Sequence, residues 1–411
     1  MSRQPIITGI DLGSSTVRIA VGKIGPEGEV QIIGLGEGPS IGIIKGVVTN
    51  LEDTVSSISA CVEQVEKMTG NSIESAYIGI SGINIISQES RGLISISRPD
   101  GEIRQEDVER VLDAAQTVAK PPNYNIIHVL PRSYSVDSQI GIMDPVGMTG
   151  VRLDVDAQII LGLTNQMKNL DKCLYRVGIA VDGMIFIILA IAEAVLSKKQ
   201  KDLGVVLVNL GSTTTSFAVY EENDVITAKI LPIGSRHITN DLAIGLRIPV
   251  EVAELLKINY GTSLPERSSR NKLINLKDIN EKEQGTVSQK EVATIIEARC
   301  EEIFRMIDKE LGNINRRGKL PAGVVLTGAG AKLDGLVETA KKIFKIPASI
   351  GIPQGFVSGV DKAFDPSFST AVGLVLWGVG GDKQIQLSGP MKFSTRGAGQ
   401  KIKSWFKNFL P

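Results

Sequence analysis

Cysteine and histidine are scarce in this chain of 411 residues, and each scarcity excludes a class of site. Three cysteines, Cys61, Cys173 and Cys300, lie far apart and without the spacing of metal ligands. They are expected to be reduced core thiols of a cytosolic protein. The two histidines, His128 and His237, have no catalytic or metal partner at a recognisable spacing, which favours structural roles for both.

The chain also lacks an excess of charge and a membrane-spanning segment. Its 45 basic residues balance its 45 acidic ones, so no overall field favours nucleic acid or a membrane, and no nucleic-acid partner is expected. The longest apolar run, Met184–Ala192, is far shorter than the ~20 residues needed to cross a bilayer. The N-terminus lacks the apolar core of a signal peptide. We expect a soluble protein whose membrane contact, if any, is peripheral.

The most informative feature present is a repeated turn. The segment Asp11-Leu12-Gly13-Ser14-Ser15-Thr16 recurs as Asn209-Leu210-Gly211-Ser212-Thr213-Thr214. Each copy follows an apolar run and leads into another, which is the pattern of two strands joined by a tight turn. Glycine with small hydroxyl neighbours lets backbone N–H groups approach an anion, and such turns form phosphate sites. One copy alone is weak evidence, but two predict similar domains that face each other across a nucleotide.

A third strand–glycine turn comes late in the chain. Val324–Leu326 runs into Thr327-Gly328-Ala329-Gly330, whose glycines allow the flat, close approach of an adenine ring. A simple strand-to-helix turn explains the motif equally well if it stands alone.

The segments between these turns differ in character. Residues 84–163 carry short β runs around one helix and predict a compact αβ insertion. A strand-like stretch, Met184–Leu189, precedes the second phosphate turn, and residues 240–320 are predicted to be rich in helix. The charged stretch 262–286 has few large apolar residues and is expected to be a mobile loop.

The end of the chain changes composition twice. Residues 381–399 have no helical periodicity and predict a flexible linker. In residues 400–411, apolar side chains at helical spacing form one stripe, with lysines outside it and no acidic residue. This pattern favours a helix that lies on a membrane over one that docks back on the core. The apolar positions are Ile402, Trp405, Phe406, Phe409 and Leu410, and the basic ones are Lys401, Lys403 and Lys407.

The order of these features resembles the actin-like ATPase superfamily, and within it the FtsA family. The resemblance runs from about Ile7 to Gly378 and includes the tail. Its specific segments are His128–Pro131, Asp144–Leu153, Ala253–Gly261 and Ser369–Leu374. Among these, Asp-Pro-Val-Gly-Met-Thr-Gly-Val-Arg-Leu at Asp144–Leu153 separates the FtsA family from MreB, Hsp70 and sugar kinases.

The resemblance implies an α/β fold, namely the duplicated, ribonuclease H-like fold of actin, in two domains with an FtsA-type inserted subdomain. The expected parts are subdomain 1A (1–83 and 164–200), the inserted subdomain 1C (84–163), subdomain 2A (201–240 and 323–380), subdomain 2B (241–322), the linker 381–399 and the membrane-binding helix 400–411.

The resemblance also implies ATP and Mg²⁺ as ligands and gives single residues a role. Asp11 would hold Mg²⁺ through water, a task that suits a carboxylate because Mg²⁺ keeps much of its hydration shell. The residues expected around the phosphates are Gly13, Ser14, Ser15 and Thr16 on one side, and Asn209, Gly211, Ser212, Thr213 and Thr214 on the other. Those expected near the ribose are Glu254 and Lys257, and those near the base are Gly328, Ala329 and Gly330. Without the resemblance, Glu254 and Lys257 would be interpreted as a solvated helix pair of little energetic weight.

Two departures from the superfamily pattern predict slow or absent hydrolysis. Asn209 stands where a second aspartate is usual, and an amide carries no charge for Mg²⁺ and cannot act as a base. The expected strand end at Phe186–Ala190 lacks the Glu or Gln that orients the attacking water in many relatives.

As a function, the resemblance implies a division protein that self-assembles on the cytoplasmic face of the membrane at the septum. It would anchor the FtsZ ring and recruit later division proteins through subdomain 1C. Arg299 and Arg305, on a predicted long helix of subdomain 2B, could pair with acidic residues of the FtsZ C-terminal peptide, although a solvated face explains either residue alone. The alternatives are an actin-like scaffold of a pilus-type platform and, with less support, a small-molecule phosphotransferase.

Overall fold

The computed structural model describes residues 6–117, 120–268 and 272–380, and over these residues the elements are numbered β1–β19 and α1–α10 in chain order. The predicted linker and membrane-binding helix, residues 381–411, lie outside the described residues. No helix in the described ranges is long and apolar enough to span a bilayer.

The first half is built on a six-stranded sheet in the order β11-β6-β1-β2-β3-β19. Its strands are β1 (Ile6–Leu12), β2 (Thr16–Ile24), β3 (Val30–Pro39), β6 (Ser75–Ile80), β11 (Ala180–Phe186) and β19 (Val357–Ser358). A small hairpin pairs β4 (Ile43–Ile44) with β5 (Val47–Val48). The helices of this half are α1 (Leu51–Thr69), α3 (Thr164–Val177), α4 (Ile187–Val195) and α10 (Ser369–Gly380).

Local sequence explains why α1 begins and ends where it does. The Asn50 side chain accepts hydrogen bonds from the backbone amides of Glu52 and Asp53, which satisfies donors that have no partner within the helix. Gly70 ends the helix at φ +66°, a left-handed conformation that favours glycine. Ile58, Val62 and Val65 form the buried stripe between these caps.

The second half repeats five of the six strands of the first sheet, and β19 has no counterpart. The sheet of the second half has the order β14-β13-β12-β17-β18. In both sheets an antiparallel hairpin (β1–β2, β12–β13) continues into a third antiparallel strand, and two parallel strands extend the other side. The strands are β12 (Val205–Leu210), β13 (Thr215–Glu221), β14 (Asp224–Leu231), β17 (Gly323–Thr327) and β18 (Ala348–Ile350), with helices α5 (Lys198–Leu203) and α9 (Leu336–Phe344). The repeated turn of the sequence therefore marks a duplicated unit.

An antiparallel sheet interrupts the first half. Its order is β7-β10-β8-β9, and one helix packs on β7 and β10. The elements are β7 (Ile86–Ser95), α2 (Gln105–Ala115), β8 (Tyr124–Val136), β9 (Gln139–Ile142) and β10 (Arg152–Leu163). This sheet and helix enclose a hydrophobic cluster of their own, which agrees with the expected αβ insertion.

A mainly helical segment interrupts the second half. It contains α6 (Ser235–Leu246), α7 (Val250–Tyr260), a hairpin of β15 (Leu273–Asn275) with β16 (Thr286–Ser288), and α8 (Gln289–Asn313). The expected boundary between 240 and 241 falls inside α6. The stretch 262–286, expected to be a mobile loop, contains β15, the first residue of β16 and two short 3-10 turns. Ile274 and Leu276, together with Val287 just beyond the stretch, are buried and anchor the hairpin.

Two apolar helices, α4 and α10, belong to a hydrophobic cluster that also contains residues of the six-stranded sheet and of the five-stranded sheet. The sequence prediction of a strand over Met184–Leu189 is wrong in its second half, because β11 ends at Phe186 and α4 begins at Ile187. Every residue of α4 except Glu193 is buried, so this helix lacks the polar face that would give it a helical period.

The three cysteines and His128 lie in the core. Cys61, Cys173 and Cys300 are buried and form no disulfide with one another. His128 is buried, its Nε2 accepts the Phe186 N–H at 3.0 Å, and its ring lies 5.6 Å from that of Trp377.

Candidate functional site

A cleft of about 1120 Å³ opens between the two halves at the turns of the hairpins β1–β2 and β12–β13. All fifteen residues that the sequence analysis assigned to a nucleotide line this one cleft. They are Asp11, Gly13, Ser14, Ser15, Thr16, Asn209, Gly211, Ser212, Thr213, Thr214, Glu254, Lys257, Gly328, Ala329 and Gly330. The duplication explains the arrangement, because equivalent turns of two similar sheets face each other.

The two phosphate turns present unused hydrogen-bond donors. In the part of the chain that the structure describes, the backbone amides of Ser14, Ser15, Ser212 and Thr213 donate to no other protein group. The turns also touch, since the Thr213 hydroxyl donates to Ser14 Oγ at 2.9 Å, and the Gly46 amide donates to the same oxygen at 3.1 Å. Free amides at two facing turns suit an anion with several oxygens.

The start of α6 supports the second phosphate turn from behind. Ser235 N donates to Gly211 O at 2.9 Å, and Arg236 N donates to Ser212 O at 2.8 Å. A Cβ on Gly234 would lie 2.7–2.8 Å from three backbone atoms of the turn, so only glycine allows this approach. The first amides of α6 therefore hold the turn in place.

The Asp11 carboxyl group lies near the end of β1 and lines the cleft. Removal from solvent raises its pKa to about 6, against the opposing effects of Arg18 and of a hydrogen bond with Thr370. Arg18 is directly opposite Asp11 in the β1–β2 pairing and also lines the cleft. The sequence analysis missed Arg18, although antiparallel pairing around the first turn places it across from Asp11.

The third turn packs on the second phosphate turn. Gly328 has φ +86°, and a Cβ there would lie 2.3 Å from Asn209 Oδ1, so the close approach excludes other residues. The Asn209 amide in turn donates to Ser216 Oγ at 3.3 Å. Ile187, the first residue of α4, forms part of the cleft wall. The position where many relatives carry a water-orienting Glu or Gln is therefore the start of α4 in this chain, not the end of a strand.

Glu254 and Lys257 are held more firmly than a solvated pair. Their side chains are 2.7 Å apart, and that of Lys257 is only 10% exposed. Thr239 on α6, which the sequence analysis also missed, contacts both. The residue-level interpretation as a solvated helix pair is therefore wrong for Lys257, which α6 covers, whereas the Glu254 side chain remains 44% exposed.

The two arginines predicted to receive a peptide lie on α8, outside the cleft. Arg299 donates two hydrogen bonds to Asp241, at 2.6 and 2.9 Å, and also pairs with Glu302. Arg305 pairs with Glu301 at 3.0 Å, and its side chain is 65% exposed. Arg299 is thus already engaged within the protein, whereas Arg305 is open to solvent.

Comparisons with known proteins agree with this architecture. The family model "Cell division protein FtsA" matches residues 206–373, and the model "SHS2 domain inserted in FTSA" matches residues 82–161, which cover the inserted sheet. The cell division protein FtsA of Pseudomonas aeruginosa is 37% identical over 374 residues, which are 91% of this chain and 89% of that protein.

Solved structures show the fold. The PilM–PilN type IV pilus biogenesis complex aligns with a TM-score of 0.66 at 14% identity and covers 91% of this chain and 98% of its own. MreB5 of Spiroplasma citri bound to ADP aligns with a TM-score of 0.54 at 13% identity, over 90% of this chain and 95% of its own. The predicted actin-like fold is confirmed. With this fold, both family models and a relative similar over most of its length, the chain belongs to the FtsA family of cell division proteins.

Proposed function

We propose that this chain binds ATP with Mg²⁺ in the cleft, self-assembles on the cytoplasmic membrane, anchors the FtsZ ring and recruits later division proteins. The proposal that a nucleotide binds here rests on the pair of facing turns, whose unused backbone amides are those of Ser14, Ser15, Ser212 and Thr213. Such donors stabilise phosphate oxygens and favour an anionic ligand over a neutral one.

The residues present fit a magnesium-bound nucleotide. Asp11 offers a carboxylate close to the hydroxyl-bearing first turn, Ser14–Thr16, which suits a cation that keeps several of its waters. Its pKa, raised by burial, would fall when a divalent cation binds nearby, because an opposite charge favours the ionised form. When bound, Mg²⁺ would offset the charge of the phosphates, while Gly13 and Gly211 let the backbone approach them.

Hydrolysis by this site would be slow. Asn209 lacks the charge of a carboxylate, and Ile187 presents an apolar side chain where a polar group would be needed to orient water. We infer a turnover well below ~1 s⁻¹, a low rate for an enzyme. ATP would then act chiefly as a bound ligand that stabilises one arrangement of the two halves.

Membership of the FtsA family and the sequence of residues 400–411 support the tethering role. The stripe of Ile402, Trp405, Phe406, Phe409 and Leu410 would bury apolar surface at the lipid interface, with lysines directed toward anionic headgroups. One such helix binds weakly, so firm attachment would require an assembly that presents many copies.

Flotation with anionic liposomes tests the tether at both ends. The full chain should carry FtsZ to the top of the gradient, whereas a chain that ends at Gly399 should leave FtsZ at the bottom. A full-length Trp405→Ser, Phe406→Ser variant serves as a matched control for the apolar stripe. If the full chain binds lipid and does not float FtsZ, the partner is wrong and a pilus-type platform becomes the leading alternative.

A further inference from the structure

One buried hydroxyl joins the two charged residues that line the ribose side of the proposed site. Thr239 on α6 is 1% exposed, donates to Glu254 Oε2 and accepts from Lys257 Nζ at 2.9 Å. Lys257 Nζ also donates to Glu254 Oε2 at 2.7 Å, and it lies 3.4 Å from the Ser235 carbonyl oxygen. The side chains of Thr239, Glu254 and Lys257 therefore form a closed ring of hydrogen bonds.

The ring links α7 to the second phosphate turn through α6. Ser235, one helical turn before Thr239, donates its amide to Gly211 of that turn. Thr239 thus lies on the helix that braces the turn, and its hydroxyl fixes two side chains of the neighbouring helix. The Thr239 hydroxyl therefore connects the Glu254 carboxylate to the helix that braces the phosphate turn.

The exposed fractions of the two charged side chains show that Glu254 is the less confined of the two. The Lys257 side chain is 10% exposed, but that of Glu254 is 44% exposed and faces the cleft. A half-exposed carboxylate that loses one of its two partners gains rotamer freedom, and ordering it again on binding lowers affinity.

We propose that Thr239 is a positioning residue that holds Glu254 and Lys257 for contact with the ribose hydroxyls of the bound nucleotide. This inference rests on the proposed binding of ATP in the cleft. The groups that would touch the ligand are the Glu254 carboxylate and the Lys257 ammonium, and Thr239 acts through them. A threonine that only joined α6 to α7 would affect all nucleotides alike, so ribose selectivity distinguishes the two roles.

Calorimetric titration of the full chain with ATP, 2′-deoxy-ATP and 3′-deoxy-ATP, each with Mg²⁺, tests the proposal. The wild type should bind ATP about tenfold more tightly than the analogue that lacks the contacted hydroxyl. Thr239→Val, which keeps the shape without the hydroxyl, should lose this selectivity and bind that analogue within about twofold of the wild type. Thr239→Ser restores the hydroxyl and should keep the selectivity.

Three results would overturn the inference while leaving ATP binding intact. These are undiminished selectivity in Thr239→Val, equal weakening of ATP and both analogues in that variant, and a wild type that binds all three nucleotides equally. A wild type that binds none of them would instead refute the proposed nucleotide site. Analogue binding by Thr239→Val also reports whether that variant is folded.

Discussion

The hydroxyl oxygens of Ser14 and Thr213 lie 2.9 Å apart, so the two phosphate turns meet directly across the cleft. Each residue belongs to one copy of the duplicated sheet, and the contact joins equivalent turns of the two halves. A phosphate placed between the turns would replace this hydrogen bond or lie beside it. In either arrangement, the two hydroxyls would respond to the same ligand.

The first prediction is that these two hydroxyls are energetically coupled in ATP binding. Ser14→Ala and Thr213→Val should each weaken ATP binding by roughly threefold to tenfold, the loss expected for one hydrogen bond. The double variant should lose clearly less binding free energy than the two single variants together, because the second change removes a group whose partner is already gone. Dissociation constants from titration measure this, and strictly additive losses would count against a shared ligand.

The second prediction concerns hydrolysis. Ile187→Gln places an amide on the cleft wall at the first residue of α4, where it could orient water near the phosphates. Its rate of phosphate release should exceed the slow wild-type rate by at least about tenfold. Ile187→Leu is the control that keeps the wall apolar, and it should remain slow. A wild-type rate of ~1 s⁻¹ or more would show that the missing polar group does not limit turnover.

The third prediction concerns pH and His128. Burial lowers the pKa of His128 to about 4, against ~6.5 in an unfolded chain. Between these values the unfolded state binds a proton that the folded state does not, so stability falls as the pH drops from about 6.5 toward 4, by up to roughly 1.4 kcal/mol per pH unit. The contribution of neutral His128 is complete above that window.

His128→Gln tests this slope, because the glutamine oxygen can still accept the Phe186 N–H and does not titrate in this range. Melting temperatures at pH 7 and pH 5 should fall further in the wild type than in the variant. The comparison concerns the two slopes, since the loss of ring packing on Trp377 lowers the variant's stability at both pH values. If the melting temperatures of the wild type and the variant fall equally between pH 7 and pH 5, His128 is not the source of the pH dependence.

The fourth prediction separates the two arginines of α8. Arg299→Ala should lower the melting temperature, because it leaves the Asp241 carboxylate without the guanidinium that donates two hydrogen bonds to it. Arg305→Ala should leave stability nearly unchanged, since the Arg305 side chain is largely exposed and Glu301 keeps Lys342 as a partner. If Arg305 receives an acidic FtsZ peptide, only its variant should weaken peptide binding in fluorescence anisotropy at unchanged stability.

The duplication could be predicted from sequence because each turn combines a fixed backbone requirement with small residues. Gly13 and Gly211 stand at matching positions between apolar runs, and the two sheets have matching strand orders around them. The same logic marked the three glycine turns that line the cleft, whereas Glu254 and Lys257 joined the group only through the family resemblance. Such turns depend on local sequence, which a single chain reveals directly.

Other features depend on tertiary contacts and were out of reach or misread. The run Met184–Ala192 contains both the end of β11 and the start of α4, and a fully buried strand and a fully buried helix have the same continuous apolar pattern. Thr239 contacts Glu254 and Lys257 on α7, which lie 15 and 18 residues further along the chain, so no local pattern marks it. In 262–286, a few buried apolar residues were enough to anchor a hairpin within a charged stretch.

The measurement that tests the central claim most directly is calorimetric titration of the full chain with ATP, with and without Mg²⁺, in the wild type and in Asp11→Asn. We predict one ATP per chain, Mg²⁺-dependent binding in the wild type, and in Asp11→Asn at least about tenfold weaker binding that no longer depends on Mg²⁺. Asp224→Asn is the matched control, because burial also raises the pKa of Asp224 to about 6 but that residue lines a different cavity. Absence of ATP binding in the wild type, or equal Mg²⁺-dependent binding in all three proteins, would contradict a nucleotide site built around Asp11.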